Sequence, residues 1–241
     1  FVYNGDEPLL RERAKDLIQG QKTFGRQLDN DIYATSVEQS DHDLHFKVNL
    51  WPDEEFTIPM IGEYNVNNAM AAMMVGHLLH VTPSHLKIGL ANVELTENRA
   101  EWLTGQQGEK ILSDVYNSNP TAVKEVLETL NELPETGRRL IVLGDMLELG
   151  DASAKLHAGL ATEIDHQHFQ KVFLVGNEMT ALKDQLLSDG YPAADLKHYA
   201  SDDQDQLIND LQKTIQADDI VLLKGSHGIH LENVLNALKA K

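Results

Sequence analysis

Four short runs hold most of the side chains able to do chemistry. They are Asp114-Val115-Tyr116-Asn117-Ser118-Asn119-Pro120, Gly144-Asp145-Met146-Leu147-Glu148-Leu149-Gly150, Gly176-Asn177-Glu178 and Lys224-Gly225-Ser226-His227-Gly228. Each is polar or rich in glycine, and each follows an apolar stretch. Lys224-Gly225-Ser226 sets a cation, open backbone N–H groups and a hydroxyl just before a helical pattern, which suits a carboxylate or a phosphate. It lacks the upstream glycine of G-x-x-x-x-G-K-S/T and is not a Walker A motif. Local readings compete. Asn117, Asn119 and Asp145 also fit ordinary turn and N-cap positions, and Gly225 and Gly228 also serve to relieve backbone strain. His77 and His80, three apart, and His166-Gln167-His168 have no third ligand at a usual spacing, which argues against a metal site. No G-x-S-x-G elbow and no G-x-G-x-x-G after a strand occur, which disfavours a serine hydrolase and a nicotinamide enzyme.

The elements that must position these runs are legible in the apolar pattern. Strands are expected at Lys110–Val115, Leu140–Gly144, Val172–Gly176, Leu196–Tyr199 and Ile220–Lys224. Helical patterns cover Thr121–Leu133, Ala152–Asp165, Met179–Ser188, Gln204–Gln216 and His230–Ala240. Leu140-Ile141-Val142-Leu143 and Ile220-Val221-Leu222-Leu223 are continuously apolar, as strands covered on both faces are. Regular alternation of strand and helix predicts a parallel, doubly wound sheet. In such a sheet ligands bind beyond the carboxyl ends of the strands, where all four runs fall.

The first 96 residues are more mixed. A helix is expected over Glu7–Gln19, and antiparallel strands over Asp31–Val37 and His42–Leu50, where Leu44, Phe46, Val48 and Leu50 alternate with polar residues. A helix from Asn65 to about His80 is apolar on every side and should be buried, and Pro83-Ser84 opens another that ends near Leu95. Thr96-Glu97-Asn98-Arg99 reads as a polar joint between a domain of residues 1–96 and one of residues 97–241. The fold class is therefore α/β, with a Rossmann-like C-terminal sheet domain preceded by a mixed-sheet region.

Composition narrows the classes. The 241 residues are 41% hydrophobic, enough for a core. A net charge of −18 disfavours nucleic acid and anionic membranes as partners. With no cysteine, thiolate zinc sites, disulfides and cysteine nucleophiles are excluded. No apolar run approaches the roughly 20 residues of a membrane span. The start, Phe1-Val2-Tyr3-Asn4-Gly5-Asp6, reads as a strand end and a turn, as expected of a piece of a longer protein.

Taken together the runs resemble one family. Gly62-Glu63-Tyr64-Asn65-Val66-Asn67-Asn68-Ala69-Met70-Ala71-Ala72 is similar to the G-x-H-N-V-x-N-A-x-A-A signature that closes the ATPase domain of the Mur ligases. Asn98-Arg99-Ala100-Glu101 resembles their interdomain linker, and Asp114 to Pro120 resembles D-x-Y-N-A-N-P. Gly144 to Gly150 with His157 following, Lys224-Gly225-Ser226, and an Asn4-Gly5-Asp6-Glu7-Pro8 turn similar to N-A-D-D-P complete the set.

The resemblance implies a cytoplasmic, ATP-dependent ligase that forms amide bonds in peptidoglycan precursors. The tyrosine–asparagine form of the third motif and the G-D-M-x-E-L-G run point to joining D-alanyl-D-alanine to UDP-N-acetylmuramoyl-tripeptide. A carboxylate would become an acyl phosphate and the dipeptide amine would displace phosphate. ATP would meet Asn65, Asn68, Arg99 and Asp114, and the dipeptide Asn119, Asn177, Ser226 and His227. The family's phosphate-gripping loop, catalytic groups and Mg²⁺ ligands are expected upstream of residue 1. By itself this chain is expected to bind ATP feebly and be inactive, and the whole protein to be monomeric. Micromolar ATP affinity by calorimetry would count against that expectation.

Two residues depart from the family. Tyr64 stands in place of its usual His. His227 stands in place of its usual Arg, so dipeptide affinity is expected to fall as pH rises through about 6–8. Other Mur-type or folylpolyglutamate-type ligases, and a non-catalytic small-molecule-binding module, are the competing readings.

Overall fold

The computed structural model describes residues 1–40, 43–93, 100–133 and 137–240. The chain divides into two compact units, Phe1–Glu94 and Leu95–Lys241. The first contains β1 (Val2–Asn4), α1 (Pro8–Ala14), β2 (Lys22–Gly25), β3 (Ile32–Gln39), β4 (Leu44–Val48), β5 (Trp51–Ile58), α2 (Tyr64–Leu78) and α3 (Pro83–Ala91). Its sheet runs β1-β2-β3-β4-β5, parallel through β3 and antiparallel from there on. The alternation in β4 works as expected: Leu44, Phe46 and Val48 are buried against Val66, Ala69, Met70, Met73 and Met74 of α2.

Several expectations for this unit need correction. α2 is buried along one side only; Val75 and Leu78 stay 45% and 46% exposed, so its apolar content does not signal full enclosure. The first helix is shorter than Glu7–Gln19. β2 and β5 escaped the sequence reading. β5 is an edge strand carrying Pro52, Asp53, Glu54 and Glu55, and only Phe56 and Ile58 are buried. Prolines and charges are what an open edge tolerates, and they mask the strand pattern. His42, the expected start of a strand, and Leu95, the expected end of a helix, lie outside the described residues.

The second unit contains β6 (Glu101–Thr104), β7 (Lys110–Asp114), α4 (Pro120–Glu132), β8 (Arg139–Gly144), α5 (Ser153–Ala158), β9 (Lys171–Val175), α6 (Thr180–Ser188), β10 (Leu196–Tyr199), α7 (Gln204–Thr214), β11 (Ile220–Lys224) and α8 (Leu231–Leu238). The strand order is β10-β9-β8-β11-β7-β6. Every pair is parallel except β6 with β7, an antiparallel edge that the sequence reading missed. Ile111, Leu140, Val142, Phe173, Val221 and Leu223 face Leu207, Leu211, Val234 and Leu235 of α7 and α8. The alternate strand residues point to the other face, where α4, α5 and α6 lie. The segment expected as one helix over Ala152–Asp165 is instead α5 flanked by the 3-10 turns Gly150–Ala152 and Gly159–Glu163.

Candidate functional site

Adjacent strands β8 and β11 hand the chain to helices on opposite faces of the sheet. In such folds ligands usually bind beyond the carboxyl ends of strands that diverge in this way. The two turns meet closely there. A Cβ on Gly225 would lie 3.1 Å from the Gly144 Cα, so the approach depends on both residues being glycine. Ser226 joins the turns: its N–H donates to the Asp145 carbonyl at 3.1 Å, and its Oγ accepts from the Leu147 N–H at 3.0 Å. Because the hydroxyl accepts from Leu147, its own hydrogen remains to be donated.

Lys224 does not present its charge to solvent. The side chain is 1% exposed, and Nζ donates to Asp114 Oδ2 and to the Asn117 carbonyl, the latter at 3.1 Å. The two residues face each other in the parallel β11–β7 register. The cation therefore holds the Asp114–Pro120 run in place and is not the open cation that the sequence suggested.

Asn119 caps α4, its side-chain oxygen accepting from the Ala122 N–H at 2.9 Å. The local reading of this residue is thus real, and its exposed position leaves the amide NH2 end within reach of solvent. Ser118 beside it is 4% exposed, and its buried Oγ has no partner among the described residues. Nothing in the residue type marks that serine out in advance. The Tyr116 and His227 rings lie 6.1 Å apart, so the first and last runs meet at this edge.

Asp145 ties in the third strand end. It is 5% exposed, and Oδ1 accepts from the Met179 N–H at 2.9 Å, at the start of α6. Burial pushes its carboxyl above the usual carboxylate range, against the opposing pull of the Met179 and Glu178 N–H groups. Gly176, at φ +109°, passes so close that a Cβ there would meet the Asp145 carboxylate. Asn177, the next residue, is exposed. Asp114, Asn119, Asn177, Ser226 and His227 are thus all on the carboxyl-end side of one sheet.

In the first unit Asn65 and Asn68 sit at the start of α2. Asn65 is buried; its Nδ2 donates to the Ile61 carbonyl at 2.8 Å, and its Oδ1 accepts from Asn68 Nδ2 at 3.2 Å. Asn68 is the exposed member. Arg99 lies outside the described residues. Among the described residues no group of three or more His, Asp or Glu could hold a metal ion. His166 instead meets Asp195 at 2.8 Å and His168 meets Asp165 at 2.7 Å. No helix among the described residues is long and apolar enough to cross a membrane.

A Rossmann-like sheet whose strand ends are tied together by these motifs defines a class as well as a fold. Residues 98–227 match the Mur ligase glutamate ligase domain and residues 1–76 match the Mur ligase middle domain. The chain belongs to the Mur ligase family. A UDP-N-acetylmuramoyl-tripeptide–D-alanyl-D-alanine ligase of Bacillus subtilis is 30% identical over 238 residues, covering 99% of this chain and 50% of the relative. The Escherichia coli ligase of the same description is 27% identical, covering 87% of this chain and 45% of its own length. Among solved structures, MurF from Acinetobacter baumannii has a TM-score of 0.77 at 26% identity, over 95% of this chain and 48% of that one. MurF ligase from Thermotoga maritima, solved with ADP, has a TM-score of 0.79 at 22% identity, over 98% and 52%. The chain spans about half the length of the curated relatives it matches.

Proposed function

We propose that this chain serves a cytoplasmic, ATP-dependent ligase that joins D-alanyl-D-alanine to UDP-N-acetylmuramoyl-tripeptide through an acyl phosphate. The tripeptide carboxylate oxygen bonds to the γ-phosphorus of ATP and ADP leaves. The neutral dipeptide amine then bonds to the acyl carbon, sheds a proton, and phosphate departs. The relatives' names support the substrates. Residues 97–241 form the domain that brings in the dipeptide, and residues 1–96 belong to the nucleotide-binding domain.

One observation carries the reading within this chain: Ser226 bridges the turns after β8 and β11 while keeping a hydroxyl hydrogen to give. With Asn119, Asn177 and His227 on the same sheet edge, that hydroxyl suits the carboxylate end of a dipeptide. Holding this end orients the amine for attack, and orientation alone is worth several kcal/mol of barrier. Asn68, steadied by buried Asn65, offers its carboxamide to the nucleotide, as does the Arg99 guanidinium. Asp114, with one oxygen held by Lys224, has a second oxygen to accept from a ribose hydroxyl. Mg²⁺ would accompany the ATP phosphates, and among the described residues no group of three or more His, Asp or Glu could hold a metal ion.

The test is phosphate release by the full-length protein given ATP, the UDP-linked tripeptide and the dipeptide. Release that needs all three supports the ligase. Dipeptide-independent release, or saturable dipeptide binding with no release, would favour another ligase or a binding module.

A further inference from the structure

Three consecutive backbone N–H groups after β8 are each claimed by a different element. That of Asp145 donates to the Val175 carbonyl of β9 at 3.0 Å. That of Leu147 donates to Ser226 Oγ at 3.0 Å, beyond β11. Between them, the Met146 N–H donates to His157 Nε2 of α5, also at 3.0 Å. His157 is 0% exposed, so neither of its ring nitrogens has water as an alternative partner.

The partners fix the tautomer. A backbone N–H can only donate, so Nε2 must be the bare nitrogen. The Ser153 carbonyl, 2.9 Å from Nδ1, can only accept, so Nδ1 must carry the hydrogen. Ser153 Oγ lies 3.2 Å from the same nitrogen and passes its own hydrogen to Glu178 Oε2 at 2.6 Å. Glu178 belongs to the turn after β9, so the imidazole ties α5 directly to the β8 turn, and Ser153 Oγ carries the tie from α5 on to the β9 turn.

We propose that His157 is a positioning residue for the amine-substrate pocket: as a neutral Nδ1–H imidazole it holds Met146, sets the Leu147 N–H against Ser226, and thereby aims the Ser226 hydroxyl. The proposal rests on the ligase reading above. Replacing the acceptor by a hydrocarbon strands the Met146 N–H in a dry interior, and the turn must move to rehydrate it. Small displacements of positioning groups are expensive in rate, up to about a hundredfold for about 1 Å.

The experiment measures dipeptide-dependent phosphate release by full-length protein carrying His157→Leu or His157→Gln. Gln is the conservative variant, because its side-chain oxygen reaches about as far as Nε2 and can accept from Met146. Leu is expected to raise the KM for D-alanyl-D-alanine roughly tenfold or more, with the KM for ATP unchanged, and Gln to restore most of the loss. A KM for dipeptide unaltered by Leu, a Gln variant no better than Leu, or an equal rise in both KM values overturns the proposal. If the Leu variant does not fold, the Gln variant with a near-normal dipeptide KM supports it, and a Gln variant whose KM for ATP rises as much contradicts it. If the wild-type protein shows no dipeptide-dependent release, the ligase reading has failed separately. The histidine is then decided by spectra of the same protein labelled with ¹⁵N-histidine: an Nδ1–H tautomer supports the anchor, and an Nε2–H tautomer overturns it.

Discussion

The two units assemble their candidate residues in different ways. In the second, groups far apart in sequence hold one another: Lys224 holds Asp114 across 110 residues, and Ser226 holds Leu147 across 79. In the first, Asn65, Asn68 and Ile61 are near neighbours at a single helix start. A site made of long-range ties is only as stable as the sheet beneath it. A site made within one turn survives on local geometry, and its residues can be recognised without knowing the fold.

The largest expected effect separates the units outright. Lys224→Met leaves the Asp114 carboxylate beside a buried hydrocarbon, and losing one partner of such a pair costs about 3–5 kcal/mol. Urea denaturation followed by fluorescence should show the second unit's transition shifted and the first unit's unmoved. A single transition shifted as a whole would show that the units are not independent. Asn65→Ala is the mirror experiment. It removes a buried donor to the Ile61 carbonyl for about 1–3 kcal/mol, and only the first unit's transition should respond. Asn119→Ala strips the α4 cap, costing about 1 kcal/mol in the second unit by the same measurement.

Smaller still is a contrast in pH. At Asp31 in the first unit, burial pushes the carboxyl up, yet hydrogen bonds from Lys22 and Thr23 outweigh it and hold the carboxyl below its ordinary value. Its contribution is therefore present above the unfolded value of about 3.9 and lost as pH falls through the lower folded value. Asp145 in the second unit is raised, so its contribution has the opposite sign. Folded protein holds that proton more tightly, and stability falls as pH rises from about 3.9 through the raised value. Thermal melts across acid pH should show Asp31→Asn costing more as pH rises and Asp145→Asn costing less. Parallel pH trends in the two variants would contradict the assignment.

The same contrast explains what the sequence made legible. The five parallel strands of the second unit announce themselves because continuous apolar runs such as Leu140–Leu143 have few other uses. The carboxyl-end turns follow from that alternation alone. β5 and β6 did not show because edge strands bury few side chains, so composition there tracks solvent. The partner of Lys224 was equally hidden: nothing in Lys224-Gly225-Ser226 says that β11 lies beside β7, and without that register the lysine reads as a free cation. Asn119 shows a third case, in which the cap expected from residue type and the exposed amide expected of a binding group coexist in one side chain.

The central claim is a division of labour, with nucleotide recognition by Asn68 at the start of α2, Arg99 and Asp114, and amine recognition by Asn119, Asn177, Ser226 and His227 in the turns after β7, β9 and β11. The most direct measurement is the pair of KM values, for ATP and for D-alanyl-D-alanine, in full-length protein carrying Asn68→Ala or Ser226→Ala. The account predicts that Asn68→Ala raises only the first and Ser226→Ala only the second. Both variants moving the same constant, or neither moving any, would contradict it.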